Sequence, residues 1–176
     1  QYKGLQKNFF ASHNIPTSSY SLFISENEIY DAIRKRKLEF PFVQKLCRGG
    51  YDGKGVAVIR DENDLQKLLH GPSVVEELVH ISKEVAVIVA RNENGKVKSF
   101  PVVEMVFDGQ ANLVEKLICP SQISTEDSAR ATQIAEHIIS ELNMTGLLAV
   151  EFFIDRSGRI LVNEVAPRPH NSGHHT

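Results

Sequence analysis

Leu147-Leu148-Ala149-Val150-Glu151-Phe152-Phe153-Ile154, then Asp155-Arg156-Ser157-Gly158, then Arg159-Ile160-Leu161-Val162-Asn163-Glu164-Val165 is the stretch that reveals the fold. Two apolar runs of strand length flank four turn-forming residues, the pattern of a β-hairpin. Both runs are apolar on both faces, which places them inside a sheet rather than at its edge. Each nevertheless carries a carboxylate. A turn centred on Arg156-Ser157 pairs Asp155 with Gly158, and hence Glu151 with Val162. Side chains alternate faces along a strand, so Glu164 falls diagonally from Glu151 on one face, roughly 7–8 Å away. Asn163 then points to the opposite face unless a bulge intervenes. Isolated carboxylates among Leu148, Val150, Phe152, Phe153, Ile154 and Leu161 are costly. A Mg²⁺ ion, which takes carboxylate and phosphate oxygens, offsets that cost.

Beyond the hairpin runs Ala166-Pro167-Arg168-Pro169-His170-Asn171-Ser172-Gly173-His174-His175. The prolines set an extended path. Arg168, His170 and Asn171 then offer a cation, a titratable donor and an amide, a set suited to a small anion such as bicarbonate. A zinc site from His170, His174 and His175 lacks carboxylate or cysteine partners at the usual spacing.

Upstream, helical and extended patterns alternate, which predicts an α+β architecture. Tyr2 to His13 reads as a helix and Ser19 to Ile24 as a strand. Ser25 and Glu28 form a capping box for a helix through Ile29, Ala32 and Ile33 to about Lys37. Phe42 to Lys45 and Gly55 to Ile59 read as strands, Asp61 caps a short helix, and Val74 to Val79 reads as a strand. Lys83 to Arg91 and Lys96 to Phe107 flank the turn Glu93-Asn94-Gly95. Leu113 to Cys119 adds a strand. Thr125 to Leu142 is the longest helix, with Ala131, Ile134, Ala135, Ile138 and Leu142 forming its apolar stripe. This pattern divides into a small lobe, residues 1–76, and a larger antiparallel-sheet lobe, residues 77–176.

Between the second and third strands of that small lobe stands Lys45-Leu46-Cys47-Arg48-Gly49-Gly50-Tyr51-Asp52-Gly53-Lys54-Gly55. Glycines at this density let backbone N–H groups approach an anion closely, and Lys45, Arg48 and Lys54 add positive charge. The pattern suits nucleotide phosphates, although a long ligand-free hairpin is its structural alternative. Val74-Val75-Glu76-Glu77-Leu78-Val79, taken alone, reads as an ordinary strand end.

The formal net charge of -2 and pI near 6.4 exclude a global attraction to nucleic acid or an anionic membrane. The basic run Arg34-Lys35-Arg36-Lys37 complements the negative end of a helix. Two cysteines, Cys47 and Cys119, read as reduced thiols of a cytoplasmic protein, and no apolar run has the length of a membrane span. The opening Gln1 and closing Thr176 are expected to be cuts through a larger protein.

Gly49-Gly50-Tyr51-Asp52-Gly53-Lys54-Gly55 and Asn163-Glu164-Val165-Ala166-Pro167-Arg168-Pro169-His170-Asn171-Ser172-Gly173-His174 together resemble the N5-carboxyaminoimidazole ribonucleotide synthetase family of ATP-grasp ligases. The likeness runs along essentially the whole chain, including Ile15-Pro16-Thr17. It implies an ATP-grasp fold truncated at both ends and a reaction joining bicarbonate to 5-aminoimidazole ribonucleotide at the expense of ATP. It implies ATP and Mg²⁺ as cofactors, with no nucleic acid or membrane partner, and a homodimer at full length. By the same resemblance Lys3 and Lys45 hold ATP phosphates, and Gly50, Tyr51, Asp52, Gly53, Lys54, Gly55 and Val56 form a lid. Glu76, Glu77, Leu78 and Val79 grip adenine through backbone groups, and Glu84 takes the ribose hydroxyls. Glu151 and Glu164 bind Mg²⁺, with Asn163 beside them. Tyr51, Asp52 and Lys54 face the ribonucleotide. Arg168, His170 and Asn171 orient bicarbonate and, with Lys54, carry the chemistry. The sequence departs from the family at Phe107, where a His is common, and at His175, where a Trp is usual. Other ATP-grasp carboxylases or ligases, and a non-catalytic ATP-binding module, are the competing readings.

Overall fold

Residues 2–49, 55–107 and 114–173 are described by the structure, a computed structural model. They divide into two units: residues 1–9 with 18–79, and residues 10–17 with 80–176. The division falls after Val79 rather than after Glu76, because the last strand of the first unit runs on through Glu77. Residues 10–17 depart from the small lobe expected for them. Their end is bonded along the terminal hairpin: the Val162 N–H donates to the Pro16 carbonyl at 2.8 Å, and Thr17 Oγ1 donates to the Val162 carbonyl at 2.7 Å.

The first unit contains most of α1 (Lys3–Ser12), then β1 (Tyr20–Phe23), α2 (Glu26–Arg34), β2 (Phe42–Leu46), β3 (Val56–Ile59) and β4 (Ser73–Glu77). Its four strands form an antiparallel sheet in the order β1-β4-β2-β3. One face holds the hydrophobic cluster of Ile29, Phe42, Ala57, Ile59, Leu68 and Val75. Alternation along β2 and β4 sends Lys45 and Glu76 to the other face. Ser25 occupies the N-cap of α2, but its side chain makes no capping bond. Glu28 reaches back one residue further than a capping box requires and accepts from the Ile24 N–H at 2.8 Å. The helix ends at Arg34, leaving Lys35, Arg36 and Lys37 exposed to solvent. Asp61 does cap its helix through the Asn63 N–H, although Glu62–Lys67 is wound as a 3-10 helix.

The second unit is a six-stranded antiparallel sheet with one long helix. Its strands are β5 (Ile81–Arg91), β6 (Val97–Ser99), β7 (Val103–Phe107), β8 (Val114–Ile118), β9 (Gly146–Asp155) and β10 (Ile160–Ala166). They run β10-β9-β5-β7-β8, with β6 also paired to β5, so β10 stands at an end of the sheet rather than inside it as expected, its outer side bonded to residues 16–17. The single strand expected from Lys96 to Phe107 is two strands, because Pro101 has no N–H to give the ladder. The fully buried Val85, Val87, Val89, Leu148, Val150 and Phe152 share one face. The helix α3 (Thr125–Glu141) packs on β5, β6, β9 and β10 through Ala131, Ala135, Ile138 and Ile139. Its stripe is rotated from the expected one: Ile139 is fully buried, and Leu142 is 40% exposed. The opposite face of the sheet carries Glu84, Glu151 and Glu164.

Candidate functional site

In the first unit the candidate side chains Lys45 and Glu76 project from the face opposite the hydrophobic cluster. Lys45 pairs with Val74 across β2 and β4, which makes Glu76 its diagonal neighbour on the same face. The Lys45 ammonium meets Glu76 Oε2 at 3.1 Å. Ser18 Oγ donates to that same oxygen at 2.7 Å. Lys7, from α1, lies 3.3 Å from Oε1 and donates to Ser18 Oγ at 2.9 Å. These groups are almost dry, with Lys7 and Glu76 only 2% and 4% exposed. Burial tends to raise the Glu76 carboxyl, but Lys45, Lys7 and the Ser18 hydroxyl together hold it below its ordinary value. Burial pulls Lys7 down to about 8 against the opposing attraction of Glu76, and Lys45 pushes it the same way.

Lys3 opens α1, and its N–H donates to the Cys47 carbonyl at 3.1 Å, which brings it to the neck of the glycine segment. That neck is closed by the Leu46 N–H donating to the Gly55 carbonyl at 2.8 Å. Gly49 and Gly55 bracket it with φ of 77° and 78°, a conformation that β-carbons oppose. Gly50, Tyr51, Asp52, Gly53 and Lys54 lie outside the described residues, as do His174 and His175. Val56 begins β3, exposed. In the segment expected to grip adenine, Glu76 and Glu77 lie within the sheet, and the Glu77 N–H donates to the Ser19 carbonyl at 3.0 Å. Leu78 and Val79 follow the end of β4, half-buried.

In the second unit the register of the terminal hairpin differs from the expected one in two ways. The turn is one residue wider, with the Asp155 N–H donating to the Arg159 carbonyl at 3.0 Å, and Ile154 therefore pairs with Ile160. Asp155 drives this choice: its carboxylate accepts from the Ser157 N–H and Oγ and from the Arg159 N–H and Nε. A bulge between Val162 and Glu164 then adds a second one-residue step. Glu151 and Glu164 end directly opposite each other instead of diagonal, on one face as expected. The bulged Asn163 does not face away. Its amide reaches Glu151 Oε2 at 3.5 Å.

His170 completes this group, with Nε2 at 2.9 Å from Glu151 Oε1. The Ser172 N–H points at His170 Nδ1, 3.3 Å away, and the Ser172 hydroxyl lies 2.9 Å from the same nitrogen. Asn171 Oδ1 accepts from the Ser172 N–H at 2.9 Å, and Arg168 is exposed on the path between strand and turn. Glu84 lies on the same face, since Ala86 pairs with Glu151 and Glu84 stands two residues along β5. Phe107 ends β7, half-buried.

The donor set fits a magnesium ion. Among the described residues no cluster of three or more His, Cys, Asp or Glu is placed to cage a metal. Two facing carboxylates meet the usual requirement of Mg²⁺, which takes one or two protein carboxylates and completes its shell with phosphate oxygens and water.

Residues 8–176 match the model of the ATP-grasp domain. The chain belongs to the ATP-grasp family. This ATP-grasp chain is 38% identical over 180 residues to the N5-carboxyaminoimidazole ribonucleotide synthase of Bacillus subtilis, a match spanning 100% of this chain and 46% of the relative. It is 40% identical over 159 residues to the synthase of Staphylococcus aureus strain COL, spanning 88% of this chain and 41% of that one. A crystal structure of N5-carboxyaminoimidazole ribonucleotide synthetase in complex with ADP matches with a TM-score of 0.91 and 39% identity, over 100% of this chain and 47% of the other. The Thermotoga maritima synthetase matches with a TM-score of 0.84 and 39% identity. The chain thus spans less than half the length of these relatives. The expected ATP-grasp fold of helices and antiparallel sheets is the one observed.

Sequence reasoning missed Lys7 and Ser18. The trace of Lys7 in the sequence is its spacing: Gly4, Lys7 and Phe10 stand three residues apart on the buried side of the helix, and a lysine in such a stripe requires a partner. Ser18 leaves no comparable trace, because it meets Glu76 only through folding.

Proposed function

We propose that this chain is the nucleotide-binding core of an N5-carboxyaminoimidazole ribonucleotide synthase. The full-length enzyme joins bicarbonate to 5-aminoimidazole ribonucleotide while converting ATP to ADP and phosphate. The carrying observation is the direct pairing of Glu151 with Glu164 beside Asn163 and His170, inside a motif whose relatives bear that name.

The roles follow from the chemistry of each group. Lys45, anchored by Glu76, offers its ammonium to nucleotide phosphates, and Lys3 offers a second cation. Glu76, Glu77, Leu78 and Val79 supply the edge for adenine. The sheet already uses the Glu77 N–H, which favours Leu78 and Val79 as the residues whose backbone groups meet the purine. Glu84 takes the ribose hydroxyls. Glu151 and Glu164 would hold Mg²⁺, with Asn163 beside them, and the ion supplies charge neutralisation on the transferring phosphoryl group. His170 contributes its imidazole, and Arg168 and Asn171 add a cation and an amide, to orient bicarbonate and the carboxyphosphate formed from it. That intermediate is labile, and residues 50–56 serve as the cover that excludes water. Tyr51, Asp52 and Lys54 are assigned to the ribonucleotide by the family resemblance alone. The full-length protein is assigned to the cytoplasm as a homodimer.

The deciding measurement is phosphate release by the full-length protein with and without 5-aminoimidazole ribonucleotide and bicarbonate. Release that requires both, with N5-carboxyaminoimidazole ribonucleotide as product, supports the assignment. Full-rate release without the ribonucleotide refutes it, and so does strict dependence on a different acceptor.

A further inference from the structure

We propose that Lys7 is a positioning residue for Lys45, acting through Glu76 to fix where the Lys45 ammonium meets the nucleotide's phosphates. The inference rests on the assignment of Lys45 to those phosphates. It starts from three contacts that close on themselves: Lys7 Nζ to Ser18 Oγ at 2.9 Å, Ser18 Oγ to Glu76 Oε2 at 2.7 Å, and Lys7 Nζ to Glu76 Oε1 at 3.3 Å. Lys7 and Ser18 thereby hold both oxygens of the carboxylate. Lys45 is the outer member of the group. Its ammonium takes Oε2 at 3.1 Å, and its side chain is 13% exposed against 3% for Lys7. An ammonium has three donors, and anchoring one of them on a fixed carboxylate sets the direction of the others.

Stability does not account for the arrangement. Apolar replacements of buried ion pairs are often neutral or stabilising, and burial already strains Lys7, pulling it down to about 8. A lysine that costs the fold something, packed behind one that faces outward, is best explained by what it does to its neighbour. Lys7 also lies 5.9 Å from the Tyr20 ring centroid, so its approach is constrained from the β1 side as well.

The test is a double-mutant cycle in the full-length protein with Lys7→Met, Lys45→Met and the pair. The readout is calorimetric affinity for adenylyl-imidodiphosphate with Mg²⁺, alongside KM and kcat for ATP and the melting temperature. Lys7→Met is expected to weaken nucleotide binding about tenfold, chiefly through KM. In the Lys45→Met background the same change is expected to cost less than about twofold. Equal losses in both backgrounds, with a lowered melting temperature, would show a merely structural lysine and overturn the proposal. So would an unchanged affinity in Lys7→Met. If Lys7→Met does not fold, Ser18→Ala opens the same triangle from its other corner and must show the same dependence on Lys45. An affinity left intact by Lys45→Met alone would instead sink the phosphate assignment on which the inference stands.

Discussion

Replacing Glu76 by glutamine tests the electrostatics of the first unit most directly. Glu76→Gln keeps the volume and an oxygen for Ser18 but removes the charge that Lys7 and Lys45 both face, at 3.3 and 3.1 Å. Breaking a buried pair by removing one partner costs about 3–5 kcal/mol. Lys7 sets how that cost varies with pH. Its fall from an ordinary value of 10.5 to about 8 corresponds to about 3 kcal/mol at neutral pH. Attraction to Glu76 opposes that fall, so the variant's Lys7 loses its proton below pH 8. A lysine whose folded value lies under its unfolded value adds stability as pH rises between the two. In the variant this gain begins earlier than in the parent. The deficit is therefore largest, about 3 kcal/mol, near pH 6, shrinks as pH rises toward 8, and is flat beyond. The groups facing Lys7 are Glu76 and Glu77 of β4, Lys45 of β2 and Tyr20 of β1. Urea unfolding followed by circular dichroism from pH 6 to pH 9 measures the deficit, and amide exchange in β4 localises it. A deficit that is constant with pH, or that grows on alkalinisation, refutes the account of a strained, charge-compensated Lys7.

Three further outcomes follow from the geometry. Glu151→Gln in the full-length protein is expected to lower ATP turnover by about 100-fold or more and to raise the Mg²⁺ concentration needed for half-maximal rate. An unshifted Mg²⁺ requirement would remove Glu151 from the metal site. Gly55→Val places a β-branched residue at a φ of 78° and is expected to cost about 1–2 kcal/mol, read as a lowered urea midpoint; no shift would mean the neck relaxes without strain. The Ser157 and Arg159 donors hold the Asp155 carboxyl well below its ordinary range despite burial. Its contribution is thus complete above the unfolded value near 3.8 and lost as pH falls below it. Asp155→Ala should therefore melt lower than the parent at pH 7, with the two curves converging on acidification below pH 3, and a gap unchanged at low pH would contradict this.

Most of the fold was legible because its signals are local. Alternating apolar runs, the Glu93-Asn94-Gly95 and Asp155-Gly158 turns, the Asp61 cap and the α3 stripe each depend on residues a few positions apart, and each yielded an element close to its expected place. The glycine segment and the His170 motif are local patterns of the same kind, the first lying mostly outside the described residues. What the residue pattern left undetermined was where two errors of one residue would compound. A wider turn, set by the four bonds Asp155 accepts, and a bulge at Asn163 turned an expected diagonal into the direct Glu151–Glu164 pair and brought the Asn163 amide onto the same carboxylate. Sequence alone therefore determined which residues are candidates for the chemistry, because residue type and period dictate what a strand or loop can present. Only tertiary structure decided how Lys7, Ser18, Lys45 and Glu76 share one buried charge network. They come from three separate elements and a loop, and only folding supplies the desolvation that makes their distances matter.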